Sequence, residues 1–143
     1  MPGNVCAAVT LPERLFVYGT LLPGLCRHAA MAGAVRRGSV WIEARLFDLG
    51  AYPGIVPGAG RVAGELYEVD EALLSRLDVV EEYTPDVPAD SLYLRRRVTV
   101  HGLAGGEPLS AWAYIYNRAV DGCVPIVHGD YRRHLRERES RGR

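Results

Sequence analysis

Two adjacent carboxylates, Glu81 and Glu82, are the strongest acid–base candidates in this sequence of 143 residues. They follow residues 71–80, whose leucines recur at helical spacing, so both would lie at the C-terminal end of an amphipathic helix. The negative end of the helix dipole, the neighbouring like charge and any burial all raise the pKa of a carboxyl group at that position. A raised pKa suits general acid–base catalysis near neutral pH. The alternative is a pair of solvated glutamates.

The second candidate is the turn formed by Tyr18, Gly19, Thr20 and Leu21, which follows a buried apolar strand predicted for residues 14–18. Glycine lets the backbone approach a ligand closely, because no Cβ atom is in the way. Successive N–H groups in such a turn can form a binding site for an anion or a carboxylate. The alternative is a glycine at a strand end that binds nothing.

Two tyrosines, Tyr93 and Tyr116, lie on predicted strands and could contact a substrate through their hydroxyl groups. Tyrosines at such positions more often cover the edge of the core and form hydrogen bonds with the backbone. Glu65 could pair with an arginine across the sheet, and we favour this structural interpretation over a catalytic one.

Other chemistries have weaker support. Cys26 and His28 lie too close in sequence for a usual thiol–imidazole dyad, so a cysteine hydrolase remains only a minor alternative. The three cysteines have no Cys-x-x-Cys spacing and the four histidines are scattered, so we expect no metal site and no cofactor. The glycines at positions 58, 60 and 64 enter a strand rather than a helix, which argues against a dinucleotide-binding motif.

The overall composition is that of a soluble globular domain. Seventeen basic and seventeen acidic residues cancel, so no overall basic field would attract a nucleic acid. No apolar run approaches the length of a membrane span, and the first residues lack the features of a signal peptide. We therefore expect a cytoplasmic protein with a small-molecule partner, without nucleic-acid or membrane binding; the oligomeric state stays open.

The predicted elements follow the order β, α, β, β, α, β, β, α. This order favours an α+β fold in which a mostly antiparallel sheet could curl into a small β-barrel with flanking short helices. Glycine and proline make residues 50–60 a predicted loop, and alanine favours a helix over residues 27–37. The expected organisation is a loose extension at 1–12, one domain at 13–131, and a basic, solvated tail at 132–143 that includes a short helix to residue 139.

Seven motifs in chain order resemble the γ-glutamylcyclotransferase-like (AIG2-like) family. Together they extend from about residue 15 to residue 131. The motifs are Phe16-Val17-Tyr18-Gly19-Thr20-Leu21, Tyr52-Pro53-Gly54, Val62-Ala63-Gly64-Glu65-Leu66-Tyr67, Leu77-Asp78-Val79-Val80-Glu81-Glu82-Tyr83, Leu92-Tyr93-Leu94-Arg95 with Val98 and Val100, Ala111-Trp112-Ala113-Tyr114-Ile115-Tyr116, and Gly129-Asp130-Tyr131.

This resemblance implies a small barrel-like α+β fold with one pocket, in which the Tyr18–Leu21 turn holds a γ-glutamyl group. The catalytic glutamate of the family falls on Glu81. The family usually has glycine at the next position, where this chain has Glu82. Choosing Glu82 as the catalyst would break the spacing from Leu77-Asp78, so Glu81 is preferred.

The activity implied by the resemblance is cyclisation of a γ-glutamyl amide to 5-oxoproline, which frees an amine or an amino acid without metal or cofactor. Glu81 would serve as the general acid and base, and Tyr93 and Tyr116 would join the turn in binding substrate. A non-catalytic binding module with the same fold is the alternative. The sequence leaves the leaving group unidentified.

Overall fold

A computed structural model of the chain describes residues 12–141, and within them six strands and two α-helices form an α+β fold, as predicted. Short 3₁₀ turns lie at His28–Met31 and Pro88–Asp90. The strands are β1 (Glu13–Val17), β2 (Val35–Asp48), β3 (Pro53–Val69), β4 (Tyr93–Gly102), β5 (Leu109–Tyr116) and β6 (Val124–Pro125), and the helices are α1 (Glu71–Val80) and α2 (Tyr131–Arg141).

Five of the strands close into a barrel. The strand order is β3-β1-β5-β4-β2, and a further pairing of β2 with β3 completes the ring. The β1–β5 pairing is parallel and the other pairings within the ring are antiparallel. The short β6 adds to the edge of β2. The predicted small, mostly antiparallel barrel is therefore confirmed.

The core has two parts. Inside the barrel lie the alternate residues Val40, Ile42, Ala44 and Leu46 of β2, which share one face of the strand. On the other side of β1, the helix α1 buries Leu73, Leu74 and Leu77 against Leu15 and Val17. Because β1 separates these two parts, the residues that follow it emerge between the barrel and α1.

The predicted loop over residues 50–60 is wrong, because β3 begins at Pro53 and pairs with β2 from its first residue. Here glycine serves close packing rather than a turn. A Cβ atom on Gly54 would lie 2.8 Å from Leu49 Cδ1 and 2.9 Å from Tyr116 Cβ. Composition alone does not distinguish these two uses of glycine.

The predicted helix over residues 27–37 is reduced to the 3₁₀ turn His28–Met31. Gly33 has a φ of +96°, which interrupts the helical conformation, and β2 begins at Val35. Strand pairing of Val35 with Glu68 prevails over the helix propensity of the alanines in this segment.

The C-terminal segment forms the predicted helix, with Asp130 accepting a hydrogen bond from the Arg133 N–H at 3.1 Å. The helix continues to Arg141 and is attached to the barrel, since buried His134 lies 2.8 Å from Asp48 Oδ2. It therefore differs from the solvated tail that the sequence predicts. Residues 1–11 of the predicted extension and residues 142–143 of the predicted tail lie outside the described residues.

Neither α1 nor α2 is long and apolar enough to span a membrane, and no other helix of residues 12–141 is.

Local signals define both ends of α1. Asp70 accepts a hydrogen bond from the Leu73 N–H at 2.7 Å, as expected of a helix N-cap. At the other end, the Tyr83 N–H donates to Asp78 O (2.8 Å) and the Glu82 N–H donates to Val79 O (3.1 Å). These two bonds form a Schellman motif, whose left-handed position is Glu82, with a φ of +55°.

Glycine should be the better residue at this position, because a side chain in the left-handed region costs energy that glycine avoids. We expect Glu82→Gly to raise the free energy of unfolding by about 0.5–1 kcal/mol, measured by denaturant titration. Glu82→Ala is the matched control: it removes the same charge but keeps the Cβ atom, and it should give no such gain. Equal gains in both variants would attribute the effect to charge instead.

Candidate active site

A pocket opens where β1 ends, beside the β2–β3 turn and the C-terminal end of α1. Its walls combine two backbone turns with tyrosine side chains and one carboxyl group. The lining residues are Phe16, Val17, Tyr18, Gly19, Thr20, Leu21, Tyr52, Pro53, Glu81, Tyr93 and Tyr114.

The turn after β1 presents free backbone donors to this pocket. The Leu22 N–H donates to Gly19 O at 2.9 Å and closes the turn. Within residues 12–141, the N–H groups of Gly19, Thr20 and Leu21 have no hydrogen-bond acceptor, although all three residues are buried. Buried N–H groups without a partner are costly, so a ligand that accepts these bonds would be favoured.

Gly19 also permits close packing of the two turns. A Cβ atom at this position would lie 2.7 Å from Pro53 Cγ, across the pocket wall. Any larger residue would therefore push the two turns apart.

Glu81 contributes the carboxyl group. The residue lies at the C-cap of α1 and is only 8% exposed. Burial raises its pKa to about 7, Arg27 opposes this rise, and Glu82 adds to it. Glu82 itself is exposed, so the two glutamates that the sequence left as rivals have different surroundings. A carboxyl group with a pKa near 7 can both accept and donate a proton at neutral pH.

Three buried tyrosines form the polar walls, and each hydroxyl group donates a hydrogen bond. Tyr18 donates to Tyr114 O at 2.7 Å, and Tyr93 donates to Pro53 O at 2.6 Å. Tyr114 donates to Asp78 Oδ1, also at 2.7 Å. Burial raises the pKa of all three hydroxyl groups well above the ordinary value, so they remain protonated.

An ion pair between Asp78 and Arg95 fixes the end of α1, the helix that carries Glu81. The Arg95 guanidinium donates to both carboxylate oxygens of Asp78, at 2.8 and 3.2 Å. The Tyr114 hydroxyl group bonds to the same carboxylate, so the last turn of α1 is attached to β4 and β5. This attachment restricts the position of Glu81 relative to the tyrosines.

Among the predicted site residues, Tyr116 is the one that does not line the pocket. Its ring lies behind Tyr93, with a centroid distance of 5.6 Å, and it packs against Gly54. Tyr114, two residues earlier on β5, lines the pocket instead. The structure brings the other predicted residues, Tyr18–Leu21, Glu81 and Tyr93, together around it.

The structural interpretation of Glu65 is confirmed, because Arg36 and Arg132 each approach its carboxylate within 3.2 Å. The Cys26 side chain is exposed, and the His28 Nδ1–H donates to Leu21 O at 2.7 Å. These two residues therefore offer no support for a cysteine hydrolase.

Sequence reasoning missed Tyr52, Pro53, Tyr114 and Arg27 as site residues. The first three lie in motifs that were recognised without a role being assigned to them. Arg27 has no such signal, because its place beside Glu81 depends on the approach of two segments that are distant in sequence.

Known proteins with similar sequences and structures match this chain over most of its length. The profile of the family described as "Gamma-glutamyl cyclotransferase, AIG2-like" matches residues 15–133. The "Gamma-glutamylcyclotransferase family protein YtfP" of Escherichia coli K12 is 38% identical over 120 residues, which cover 82% of this chain and 95% of that protein. A relative from Niallia circulans, "Gamma-L-glutamyl-butirosin B gamma-glutamyl cyclotransferase", is 41% identical over 108 residues, which cover 73% of this chain and 67% of that protein.

Among solved structures, the crystal structure of an AIG2-like protein from Mus musculus superimposes with a TM-score of 0.71 at 30% identity. The superposition covers 85% of this chain and 89% of that one.

Burial of Glu81 should be visible in the pH dependence of stability. Because its folded pKa of about 7 lies above the ordinary 4.5, the folded state binds more protons than the unfolded state between these two values. This contribution to stability is present at low pH and is lost as the pH rises towards 7. Glutamine does not titrate, so the free energy of unfolding of Glu81→Gln should not show this loss. Relative to wild type, it should therefore increase by up to about 3 kcal/mol between pH 5 and pH 8.

Urea unfolding at several pH values measures this difference. The exposed Glu82→Gln variant is the control and should follow the wild-type curve. Parallel curves for wild type and Glu81→Gln would contradict a raised pKa.

Proposed function

Since this chain belongs to the gamma-glutamyl cyclotransferase, AIG2-like family, we propose that it is an enzyme that cyclises a γ-glutamyl amide to 5-oxoproline and releases the free amine or amino acid. The observation that carries this proposal is the buried carboxyl group of Glu81 in the same pocket as the N–H groups of Gly19–Leu21, which have no acceptor among residues 12–141. The Glu81 carboxyl group can transfer a proton, and the N–H groups of the turn can bind a negatively charged group.

The substrate supplies its own nucleophile. In the reactive conformer, the α-amine of the γ-glutamyl group attacks the γ-carbonyl carbon and the bond from that carbon to the leaving nitrogen breaks. Of the three protons on the α-ammonium, one stays on the lactam nitrogen and two end on the released amine, which leaves as an ammonium. A small pocket that holds the attacking conformer can lower the barrier by about 7 kcal/mol or more in the best cases.

Glu81 carries protons between the two nitrogens. As a carboxylate it accepts a proton from the α-ammonium, which makes the nitrogen lone pair available for attack. As a carboxylic acid it then donates to the leaving nitrogen. Its pKa of about 7 supports both roles at neutral pH.

The turn and the tyrosines bind the γ-glutamyl group. The N–H groups of Gly19, Thr20 and Leu21 would donate hydrogen bonds either to the substrate carboxylate or to the oxyanion of the tetrahedral intermediate. Tyr18 and Tyr93 form the walls around it and stay neutral. Tyr116 would act from behind Tyr93 rather than by direct contact.

The departure from the family at Glu82 gives no support to a non-catalytic binding module. Glu82 adopts the left-handed conformation for which glycine is best suited, and its side chain is exposed. The substitution thus affects the helix end, and the Glu82 side chain is not among those that line the pocket.

The direct test supplies γ-glutamyl dipeptides and γ-glutamylamines and measures 5-oxoproline. We expect Glu81→Gln to lower kcat by about 10²–10⁴-fold, the range typical of a lost general acid–base group. The matched variant Glu82→Gln should keep most of the activity. Release of 5-oxoproline from no member of the panel would favour the binding module, and the reverse ranking of the two variants would place the base at Glu82.

The rate should also depend on pH through Glu81. Because the carboxylate form starts the reaction, we expect kcat/KM to fall about tenfold per pH unit below a kinetic pKa near 7. The residual rate of Glu81→Gln should lack this acidic limb. An acidic limb that persists in the variant would assign the titration to another group.

A further inference from the structure

Arg27 is not itself among the residues that line the pocket, but it contacts three segments that do. Its backbone N–H donates to Thr20 O at 2.9 Å, so it is attached to the turn that carries the free N–H groups. Its guanidinium reaches the end of α1, with Nη1 3.4 Å from Val80 O and 3.7 Å from Glu81 Oε2. The Arg27 Cζ atom lies 5.7 Å from the centroid of the Tyr52 ring. The guanidinium is therefore held next to Glu81 by groups from separate segments.

The Arg27 side chain is more exposed to solvent than the Glu81 side chain, and only Glu81 of the two lines the pocket. The Arg27 side chain is 35% exposed, whereas the Glu81 side chain is 10% exposed. A compound that enters with its γ-glutamyl end inside the pocket would therefore pass Arg27 with the part that stays nearer to solvent.

The Arg27 guanidinium has donors to spare. Among residues 12–141, its one hydrogen bond is the long one to Val80 O, and its separation from Glu81 exceeds that of a direct hydrogen bond. A guanidinium carries five N–H donors in a planar fork that suits a carboxylate. Most of this capacity is available to a ligand.

From this geometry, and resting on the proposed function, we propose that Arg27 binds the carboxylate of the leaving group, so that the substrates are γ-glutamyl amino acids rather than γ-glutamylamines. Glu81 must contact the leaving nitrogen in order to protonate it. In an amino acid the carboxylate carbon is only two bonds from that nitrogen, which brings the carboxylate next to the guanidinium beside Glu81. A leaving group with a positive charge would instead meet a like charge at Arg27.

The substrate pair γ-glutamyl-L-alanine and γ-glutamyl-L-alaninamide tests this proposal, because the two differ only in the terminal carboxylate. We expect wild-type kcat/KM to be about tenfold higher for γ-glutamyl-L-alanine, as fits a charge-assisted hydrogen bond at a partly exposed site. The amide releases the less basic amine, so intrinsic reactivity favours the opposite order.

The ratio of the two kcat/KM values isolates recognition from proton transfer. Arg27→Met changes the surroundings of Glu81 for both substrates, but the ratio cancels that common effect. We expect the ratio to fall to near one in Arg27→Met and to recover partly in Arg27→Lys. Arg76→Met removes an exposed arginine of α1 and should keep the wild-type ratio.

A wild-type ratio near or below one would overturn the proposal without any variant, and so would an unchanged ratio in Arg27→Met. An unchanged ratio accompanied by equal losses on both substrates would assign Arg27 to the carboxylate of the γ-glutamyl group instead. If no γ-glutamyl compound yields 5-oxoproline, the proposed function fails and this inference fails with it. Turnover of the alaninamide at least as fast as the alanine substrate refutes this inference alone.

Discussion

A carboxyl group is destabilised as an anion when burial removes its water, and Glu81 is buried at the C-terminal end of α1, beside the like charge of Glu82. Its pKa of about 7 is the constraint on which the site depends. The Schellman motif fixes where the helix ends, and the Asp78–Arg95 pair holds that end against the barrel. The positive charge of Arg27 lowers the pKa of Glu81 but does not cancel the effect of burial. Under the proposed function, the local loss of stability is the cost of a proton acceptor that works near neutral pH.

Barrel closure brings the other half of the site to this carboxyl group. Because β1 lies between β3 and β5, its end leads the turn at residues 18–21 to the rim, beside α1. The long β2–β3 hairpin carries Tyr52 and Pro53 to the same rim from the other side. The two turns fit closely because Gly19 leaves room for the Pro53 ring. Strand pairing and the close packing of the two turns therefore place the backbone donors, which need no side chain.

Local signals in the sequence were sufficient for some elements and not for others. Helix α1 has an Asp70 cap and leucines at helical spacing, and both act within a few residues, so the helix was predicted with the correct ends. Along β2, the alternation of side chains is itself a local signal, since Val40, Ile42, Ala44 and Leu46 share the buried face. The prediction of a loop at residues 50–60 is wrong, because the role of Gly54 depends on contacts with Leu49 and Tyr116. The tail was likewise expected to be solvated, whereas α2 is attached through His134 and Asp48.

The sequence by itself determined the residue types and their local placement: a glycine turn after an apolar strand, and Glu81 at the end of a helix. It also carried enough ordered motifs to indicate the family. Only the tertiary structure decided how deeply Glu81 is buried, that Tyr114 rather than Tyr116 faces the pocket, and that Arg27 lies 3.7 Å from the Glu81 carboxylate. The physical reason is that burial and electrostatic interaction depend on distance in space. The partners that set them here, Arg27 and Glu81 among them, are far apart along the chain.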